Sequence, residues 1–167
     1  MSLLVITTGG TIDKVYFDAT SDYEVGEPTV PHVFREAGVA IPHRVVPLLR
    51  KDSLELTDED RQLIRQTCVD AAEERILITH GTDTMPLTAE ALMGIEGKTI
   101  VLTGAMAPAR FRVTDAVFNL GLALGAVQAF GVGVWIAMSG SLFEAGKVRK
   151  NREAGRFEGV NAEKLKS

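Results

Sequence analysis

Short apolar runs alternate with helical patterns along this chain, and the runs end in polar residues. The run 76–78 is continuously apolar and passes into Thr79-His80-Gly81-Thr82-Asp83-Thr84. A short, continuously apolar run is typical of a strand buried on both faces of a parallel sheet. Similar runs predict four further strands, at residues 3–6, 45–49, 99–102 and 132–137.

Apolar residues at helical spacing fill most of the intervals between these runs. They predict helices at residues 29–37, 57–71, 86–93 and 116–129. Strands that alternate with helices indicate an α/β fold. We therefore expect a three-layer, flavodoxin- or Rossmann-like parallel sheet flanked by helices.

Polar residues at the start of three predicted helices are candidate caps. Thr57 with Asp60 three residues later has the pattern of a capping box. Thr82 or Asp83 is the candidate cap for the third helix, and Thr114 or Asp115 is the candidate for the fourth.

Two segments show no sustained period. Residues 7–28 are largely polar and carry both tyrosines, and a loop of this length is usually a lid or a binding loop. Residues 144–167 are rich in charge, which favours a solvated surface or a flexible end. We expect one domain over residues 1–167, with 144–167 partly a surface tail.

Composition and charge narrow the possible partners. The chain has 18 Lys and Arg against 22 Asp and Glu, a net charge of −4, which argues against nucleic acid or an anionic membrane as the main partner. The single cysteine, Cys68, excludes a disulfide framework and predicts a buried reduced thiol. No signal-peptide pattern precedes the first strand, so we expect a cytoplasmic location.

One uncharged stretch, residues 116–143, is long enough to span a bilayer. Asn119, Gln128 and the glycine break at 131–133 divide it instead into a helix and a strand of an α/β core. We therefore predict no membrane span.

Glycine and hydroxyl residues follow the first and third predicted strands, where α/β sheets bind ligands. A glycine-rich turn first suggests phosphate binding, but Thr8-Gly9-Gly10-Thr11 lacks both the G-x-G-x-x-G spacing and the Walker lysine. The three histidines, His32, His43 and His80, are widely separated and match no zinc spacing. We therefore predict no cofactor and no metal.

The remaining side chains at the strand ends suit acyl transfer by a hydroxyl nucleophile. A threonine hydroxyl needs a partner that takes its proton, and a carboxylate-lysine pair or a tyrosine can serve. An alternative interpretation is that Thr82, Asp83 and Thr84 only cap the following helix. The sequence leaves both interpretations open.

Two motifs resemble the signatures of the L-asparaginase/glutaminase family, namely Thr8-Gly9-Gly10-Thr11-Ile12 and His80-Gly81-Thr82-Asp83-Thr84-Met85. The similarity continues in family order through residues 22–26, Asp52-Ser53, residues 103–106 and Lys150-Asn151. It covers nearly the whole chain and points to a short form similar to the N-terminal asparaginase domain only. The resemblance implies hydrolysis of the side-chain amide of L-asparagine to L-aspartate and ammonia, through a threonyl acyl-enzyme.

The resemblance also implies roles for the matching residues. Thr11 would be the nucleophile, with Tyr23 positioned against its hydroxyl. Thr82, Asp83 and Lys150 would polarise the threonine or a water. The implied substrate-binding residues are Gly10, Asp52, Ser53, Gly81, Thr82, Asp83 and Ala105.

Within that set, Ser53 and Asp83 would hold the substrate's α-carboxylate and α-ammonium. Plain structural interpretations stay open for three residues: Tyr23 as a loop cover, Lys150 as a solvated cation and Ser53 as a turn former.

The chain departs from the family pattern in two ways. Most members carry a second, smaller domain that supplies an acidic residue to a neighbouring subunit's pocket, and we expect that domain to be absent here. Glu24, Glu153, Glu158 or a partner chain are the candidate replacements for this acid, and the alternative is that the acidic contact is absent. Leu54-Glu55 also departs from the pattern after Ser53, which bears on substrate affinity and on asparagine versus glutamine.

Because family members usually pair their subunits, the resemblance implies a homodimer or homotetramer. The main alternative function is a non-catalytic amino-acid-binding domain or amidotransferase subunit that retains the pocket. A flavodoxin-like nucleotide binder is a further alternative whose motifs are missing.

Overall fold

A computed structural model describes residues 1–160 of the chain. Short 3-10 turns at Thr11–Asp13 and Ser53–Glu55 interrupt its helices and strands. In chain order these are β1 (Leu3–Gly9), β2 (Lys14–Phe17), β3 (Asp22–Val25), α1 (Val30–Glu36), β4 (His43–Lys51), α2 (Asp58–Asp70), β5 (Arg75–Thr79), α3 (Met85–Ala91), β6 (Thr99–Thr103), α4 (Ala116–Ala129), β7 (Gly133–Met138), β8 (Ser141–Glu144), β9 (Val148–Asn151) and β10 (Arg156–Gly159).

The central sheet has six strands in the order β4-β1-β5-β6-β7-β8. The first five are parallel, and β8 pairs antiparallel with β7 at the edge. The parallel strands follow the 2-1-3-4-5 order of flavodoxin-like folds, which confirms the predicted α/β class. In this order the chain reverses direction across the sheet between β1 and β5, and ligands bind at such a switch point.

Both faces of the sheet are buried, as the continuous apolar runs predicted. On one face Ile6, Ile78 and Leu102 pack in a cluster with Ile64 and Cys68 of α2. On the other face, a second cluster joins strand residues to α1 and α4: Leu3, Val5, Leu77, Val101, Phe34, Leu120 and Val127. Successive strand residues point to opposite faces, so a strand covered by helices on both sides has no polar face.

Two predictions about residues in helices are confirmed. Thr57 forms the capping box of α2 with Asp60, each side chain accepting a hydrogen bond from the other residue's backbone N–H. Cys68 is a free, fully buried thiol in the same helix, and burial raises its pKa to about 12. Along residues 1–160, no helix has the length and apolar character needed to cross a bilayer.

The prediction of a side-chain cap is wrong at α3 and is confirmed in part at α4. Helix α3 begins after Thr84 without a side-chain cap, because the Asp83 carboxylate binds Lys150 instead. At α4, the Thr114 hydroxyl does accept a hydrogen bond from the Ala116 N–H. The Asp115 carboxylate does not cap the backbone of α4; it accepts from the N–H groups of Met106 and Ala107 in the loop after β6, and from the side-chain amide of Asn119 within α4.

The two segments without a sequence period contain regular structure. Strands β2 and β3 pair as an antiparallel hairpin inside the segment predicted as a long loop, and this prediction was wrong. Strands β9 and β10 form a second hairpin in the predicted tail, with Val148 and Phe157 buried in the core cluster against α2 and α3. The rest of that prediction, from residue 161, lies outside the described residues.

Candidate active site

The turns after β1 and β5 touch each other through their backbones. Gly10 has φ +87°, and a Cβ placed on it would lie 2.5 Å from both the Cα and the N of Gly81. A Cβ on Gly81 would in turn lie 2.6 Å from the Ser53 Cβ. No side chain larger than hydrogen fits at either glycine, so these residues stack three predicted site positions at the switch point.

Lys150 joins the two polar residues that follow Gly81. Its Nζ donates to the Thr82 hydroxyl at 2.7 Å and to Asp83 Oδ1 at 2.8 Å. The Lys150 side chain is only 14% exposed, and its strand β9 is anchored in the core by Val148. The Lys150 ammonium is thus held in place, unlike a solvated surface cation. Arg152 Nε, on an exposed side chain, lies 3.5 Å from the same Asp83 oxygen.

Thr11 and Tyr23 line one cavity of about 480 Å³, together with Lys14, Asp22, Pro108 and Phe111. Thr11 begins the 3-10 turn that follows Gly10, whereas Tyr23 lies on β3 of the first hairpin. The structure therefore brings the predicted nucleophile and the predicted tyrosine to the same opening, with Tyr23 half-exposed.

Asp52 connects this cavity to the Lys150 group. The Lys14 ammonium lies 2.9 Å from Asp52 Oδ2, and Oδ1 accepts a hydrogen bond from the Leu54 N–H. Burial alone would raise the pKa of the Asp52 carboxyl, but these hydrogen bonds and the charges of Lys14 and Lys150 hold that pKa below its ordinary value. Asp52 therefore stays ionised beside the two lysines.

Ser53 is buried against the turn after β5. Its hydroxyl accepts from the Thr84 N–H at 3.3 Å, and its carbonyl accepts from the Thr84 hydroxyl at 2.7 Å. Ala105 is also buried, but its side chain packs in the apolar cluster that contains Ile12. The substrate-binding roles of Ser53 and Ala105 stay predictions.

The candidate replacements for the family's additional acid have other partners or lie in solvent. Glu24 accepts a hydrogen bond from Thr20 on the exposed hairpin. Glu158 accepts from Arg156, Asn151 and Arg149, and the Arg156 hydrogen bond is the main cause that lowers its pKa. Glu153 is exposed in the turn between β9 and β10.

Asp13 is a structural anchor beside Thr11 that the sequence did not reveal. It is buried at the end of the 3-10 turn that Thr11 begins, and its carboxylate accepts from both the N–H and the hydroxyl of Thr29. Burial raises its pKa, although the Thr29 hydrogen bonds oppose that shift. Its backbone carbonyl accepts from the Gly26 N–H at 2.8 Å, which closes the base of the first hairpin. No local pattern links residues 16 positions apart, so only the fold shows this anchor.

His80 supports the turn after β5 as a neutral, fully buried imidazole. Its Nδ1–H donates to the Gly81 carbonyl at 2.7 Å, and its Nε2 accepts from the Thr88 hydroxyl at 2.8 Å. Burial lowers its pKa to about 4. His80 thereby links the Gly81 turn to helix α3.

We expect the free energy of unfolding to fall as the pH drops from about 6.5 towards 4. The unfolded histidine takes up a proton at about pH 6.5, whereas the folded one does so only at about 4, so acid favours the unfolded chain by up to about 3 kcal/mol. Urea unfolding at several pH values measures this slope. His80→Asn should flatten the slope relative to the exposed control His43→Asn, and equal slopes for the two variants would contradict the assignment.

Among residues 1–160, no group of three His, Cys, Asp or Glu side chains is placed to hold a metal ion.

Residues 2–167 match the protein family described as Asparaginase, N-terminal. The L-asparaginase of Thermococcus kodakarensis is 32% identical over an alignment of 173 residues. That alignment covers 96% of this chain and 52% of that protein. The glutaminase-asparaginase of Acinetobacter glutaminasificans is 29% identical over 167 residues, covering 89% of this chain and 49% of the relative.

Solved structures agree with these sequence matches. The thermostable L-asparaginase from Thermococcus kodakarensis superposes with a TM-score of 0.81 at 27% identity, over 96% of this chain and 52% of that one. A probable cytoplasmic L-asparaginase from Campylobacter jejuni gives a TM-score of 0.80 at 25% identity, over 94% and 52%. The chain thus spans about half the length of the relatives it matches.

Proposed function

This chain belongs to the asparaginase family, and we propose that it hydrolyses the side-chain amide of L-asparagine to L-aspartate and ammonia through a threonyl acyl-enzyme. The observation that carries this proposal is the backbone contact between Gly10 and Gly81. That contact joins the turn of Thr11 to the turn of Thr82, where Lys150 binds both Thr82 and Asp83.

In the first step, the Thr11 hydroxyl oxygen attacks the amide carbon. Its proton passes by way of Tyr23 to the departing nitrogen, the carbon-nitrogen bond breaks, and ammonia leaves. Backbone N–H groups near Thr11 and Thr82 stabilise the oxyanion that forms in between. The product of this step is an ester between Thr11 and the aspartyl group.

In the second step, a water attacks the ester carbon and returns Thr11 to its free form. Lys150 donates to the Thr82 oxygen, so the polarised Thr82 hydroxyl can donate its own hydrogen to the oxyanion that forms, while the water's proton passes by way of Tyr23 to the Thr11 oxygen. The Asp83 carboxylate accepts from the same lysine and orients it. The proton returns to Thr11 as the ester bond breaks and aspartate is released.

The substrate's charged groups have matching partners beside these hydroxyls. Lys150 and Arg152 both contact Oδ1 of Asp83, and the other carboxylate oxygen would pair with the α-ammonium. The Ser53 hydroxyl, with the adjacent backbone, would take the α-carboxylate. Asp52 holds Lys14 at the edge of the Thr11 cavity, so the site keeps charges of both signs.

We propose a homodimer or homotetramer in the cytoplasm, with a small-molecule substrate and neither nucleic acid nor membrane as partner. The net charge of −4 and the reduced, buried Cys68 support this setting. One domain over residues 1–167 stays a prediction.

Ammonia release from asparagine and from glutamine by the purified chain tests the function. We expect release from asparagine, with glutamine slower by about tenfold or more, because one methylene of pocket depth is worth about 1–3 kcal/mol. The size of the chain in solution is measured on the same sample. If aspartate raises the melting temperature but no ammonia appears from either amide, the protein is the non-catalytic binding domain or amidotransferase subunit instead.

A further inference from the structure

The first hairpin carries Tyr23 but has little packing of its own. Strands β2 and β3 form a separate two-stranded sheet, and β3 is largely exposed. An isolated two-stranded hairpin is at best marginally stable in water. The Gly26 N–H to Asp13 carbonyl hydrogen bond fixes the base of the hairpin, so the position of Tyr23 further along must depend on other contacts.

A row of three aromatic rings, those of Tyr16, Tyr23 and Phe111, provides such contacts. Tyr16 lies directly opposite Tyr23 in the hairpin, with ring centroids 5.5 Å apart at 65°. The ring of Phe111 lines the same cavity, with its centroid 5.8 Å from that of Tyr23 at 59°. These distances and tilted orientations are those that aromatic pairs prefer.

Phe111 is carried by a loop that is tied down on both sides. The Ala109 N–H donates to the carbonyl of Ile12, in the same 3-10 turn as Thr11. The Asp115 carboxylate accepts hydrogen bonds from the N–H groups of Met106 and Ala107. The loop after β6 is therefore a firmer support than the hairpin that rests on it.

We propose that Phe111 is a positioning residue that holds Tyr23 over Thr11. Phe111, Tyr23 and Thr11 line the same cavity, so a shift of the Tyr23 ring away from Phe111 also changes its position relative to the nucleophile. An aromatic pair of this kind changes the balance between two positions of a side chain about two- to tenfold. This inference rests on the proposed function only for its kinetic consequence.

A spectroscopic test does not depend on enzymatic activity. The protein has only 2 tyrosines, and both belong to the row of aromatic rings. With ¹³C-labelled tyrosine rings in the full chain, Tyr16→Phe and Tyr23→Phe assign the two signals. Phe111→Leu should shift the Tyr23 signal, whereas Phe118→Leu, an exposed phenylalanine on α4, should leave it in place. An unchanged Tyr23 signal in folded Phe111→Leu would overturn the proposal.

Kinetics then separate positioning from a merely structural role. Phe111→Leu should lower kcat about two- to tenfold, Phe111→Tyr should restore it, and Phe111→Leu should have no further effect in a Tyr23→Ala background. Equal losses with and without Tyr23 would also overturn the proposal. Absence of ammonia release by the parent chain would instead reject the proposed function, while the tyrosine signals would still decide the role of Phe111.

Discussion

Thr11→Ala is expected to lower kcat for asparagine about a thousandfold or more while the protein stays folded. The variant lacks the oxygen that forms the acyl-enzyme, and the remaining groups can only bind and polarise the amide. Thr11 is partly exposed at the cavity, so losing its hydroxyl creates no buried hole. Single-turnover and steady-state ammonia release measure the effect.

The second threonine provides the comparison. Thr82→Val keeps the shape of the side chain but removes the hydroxyl that accepts from Lys150, and it should also lower kcat about a thousandfold. Thr67→Ala on α2, whose hydroxyl bonds only within its own helix, is the matched control and should retain full activity. Ordinary turnover in a folded Thr11→Ala protein would exclude the threonyl mechanism.

Gly10→Ala should destabilise the fold by about 3–5 kcal/mol. The new methyl group would lie 2.5 Å from the backbone of Gly81, and the backbone at residue 10 has φ +87°, so steric overlap and conformational strain add. The free energy of unfolding in urea measures the loss. In any fraction that stays folded, activity should also fall because the turns of Thr11 and Thr82 are pushed apart.

Gly38→Ala separates the two causes. Gly38 also has a positive φ, +64°, but a Cβ there meets nothing within 4 Å. This control should therefore cost only the strain, about 1–2 kcal/mol. If Gly10→Ala is no less stable than Gly38→Ala, then the two turns are not packed as described, and the site loses its structural basis.

The strands of the central sheet were predictable because a strand buried on both faces has a continuously apolar sequence. Residues 76–78 and 100–102 are apolar at every position, and the structure places them in β5 and β6. Helix α2 likewise followed from its capping box and its spacing. Such patterns depend on neighbours within a few residues, so a sequence reading recovers them.

The two hairpins were not predictable in the same way. Strand β3 faces solvent along most of its length, so it shows no alternation of buried and exposed positions. Strands β9 and β10 are held by Val148 and Phe157, two apolar residues in a charged segment. Their pairing depends on the core they dock against, which lies far away in the sequence.

The cap predicted for α3 is wrong for a related reason, because the carboxylate has a partner that is distant in the sequence. A carboxylate just before a helix is an ordinary cap on local grounds. At Asp83 the ammonium of Lys150, 67 residues later, is the partner instead. The lysine ammonium and the helix N–H groups compete for the same carboxylate, and only the fold decides which donor is within reach.

By itself, the sequence determined the α/β class, the buried strands and the two motif turns that carry Thr11 and Thr82. All of these can be predicted from short-range hydrophobic periodicity and from residue types that favour a particular backbone conformation. The tertiary structure alone decided that Gly10 rests on Gly81, that Lys150 reaches Thr82 and Asp83, and that Phe111 meets Tyr23. These contacts join residues about 70 to 90 positions apart in the sequence. Whether such residues meet is decided by the order of strands in the sheet and the loops between them, and no local pattern carries that information.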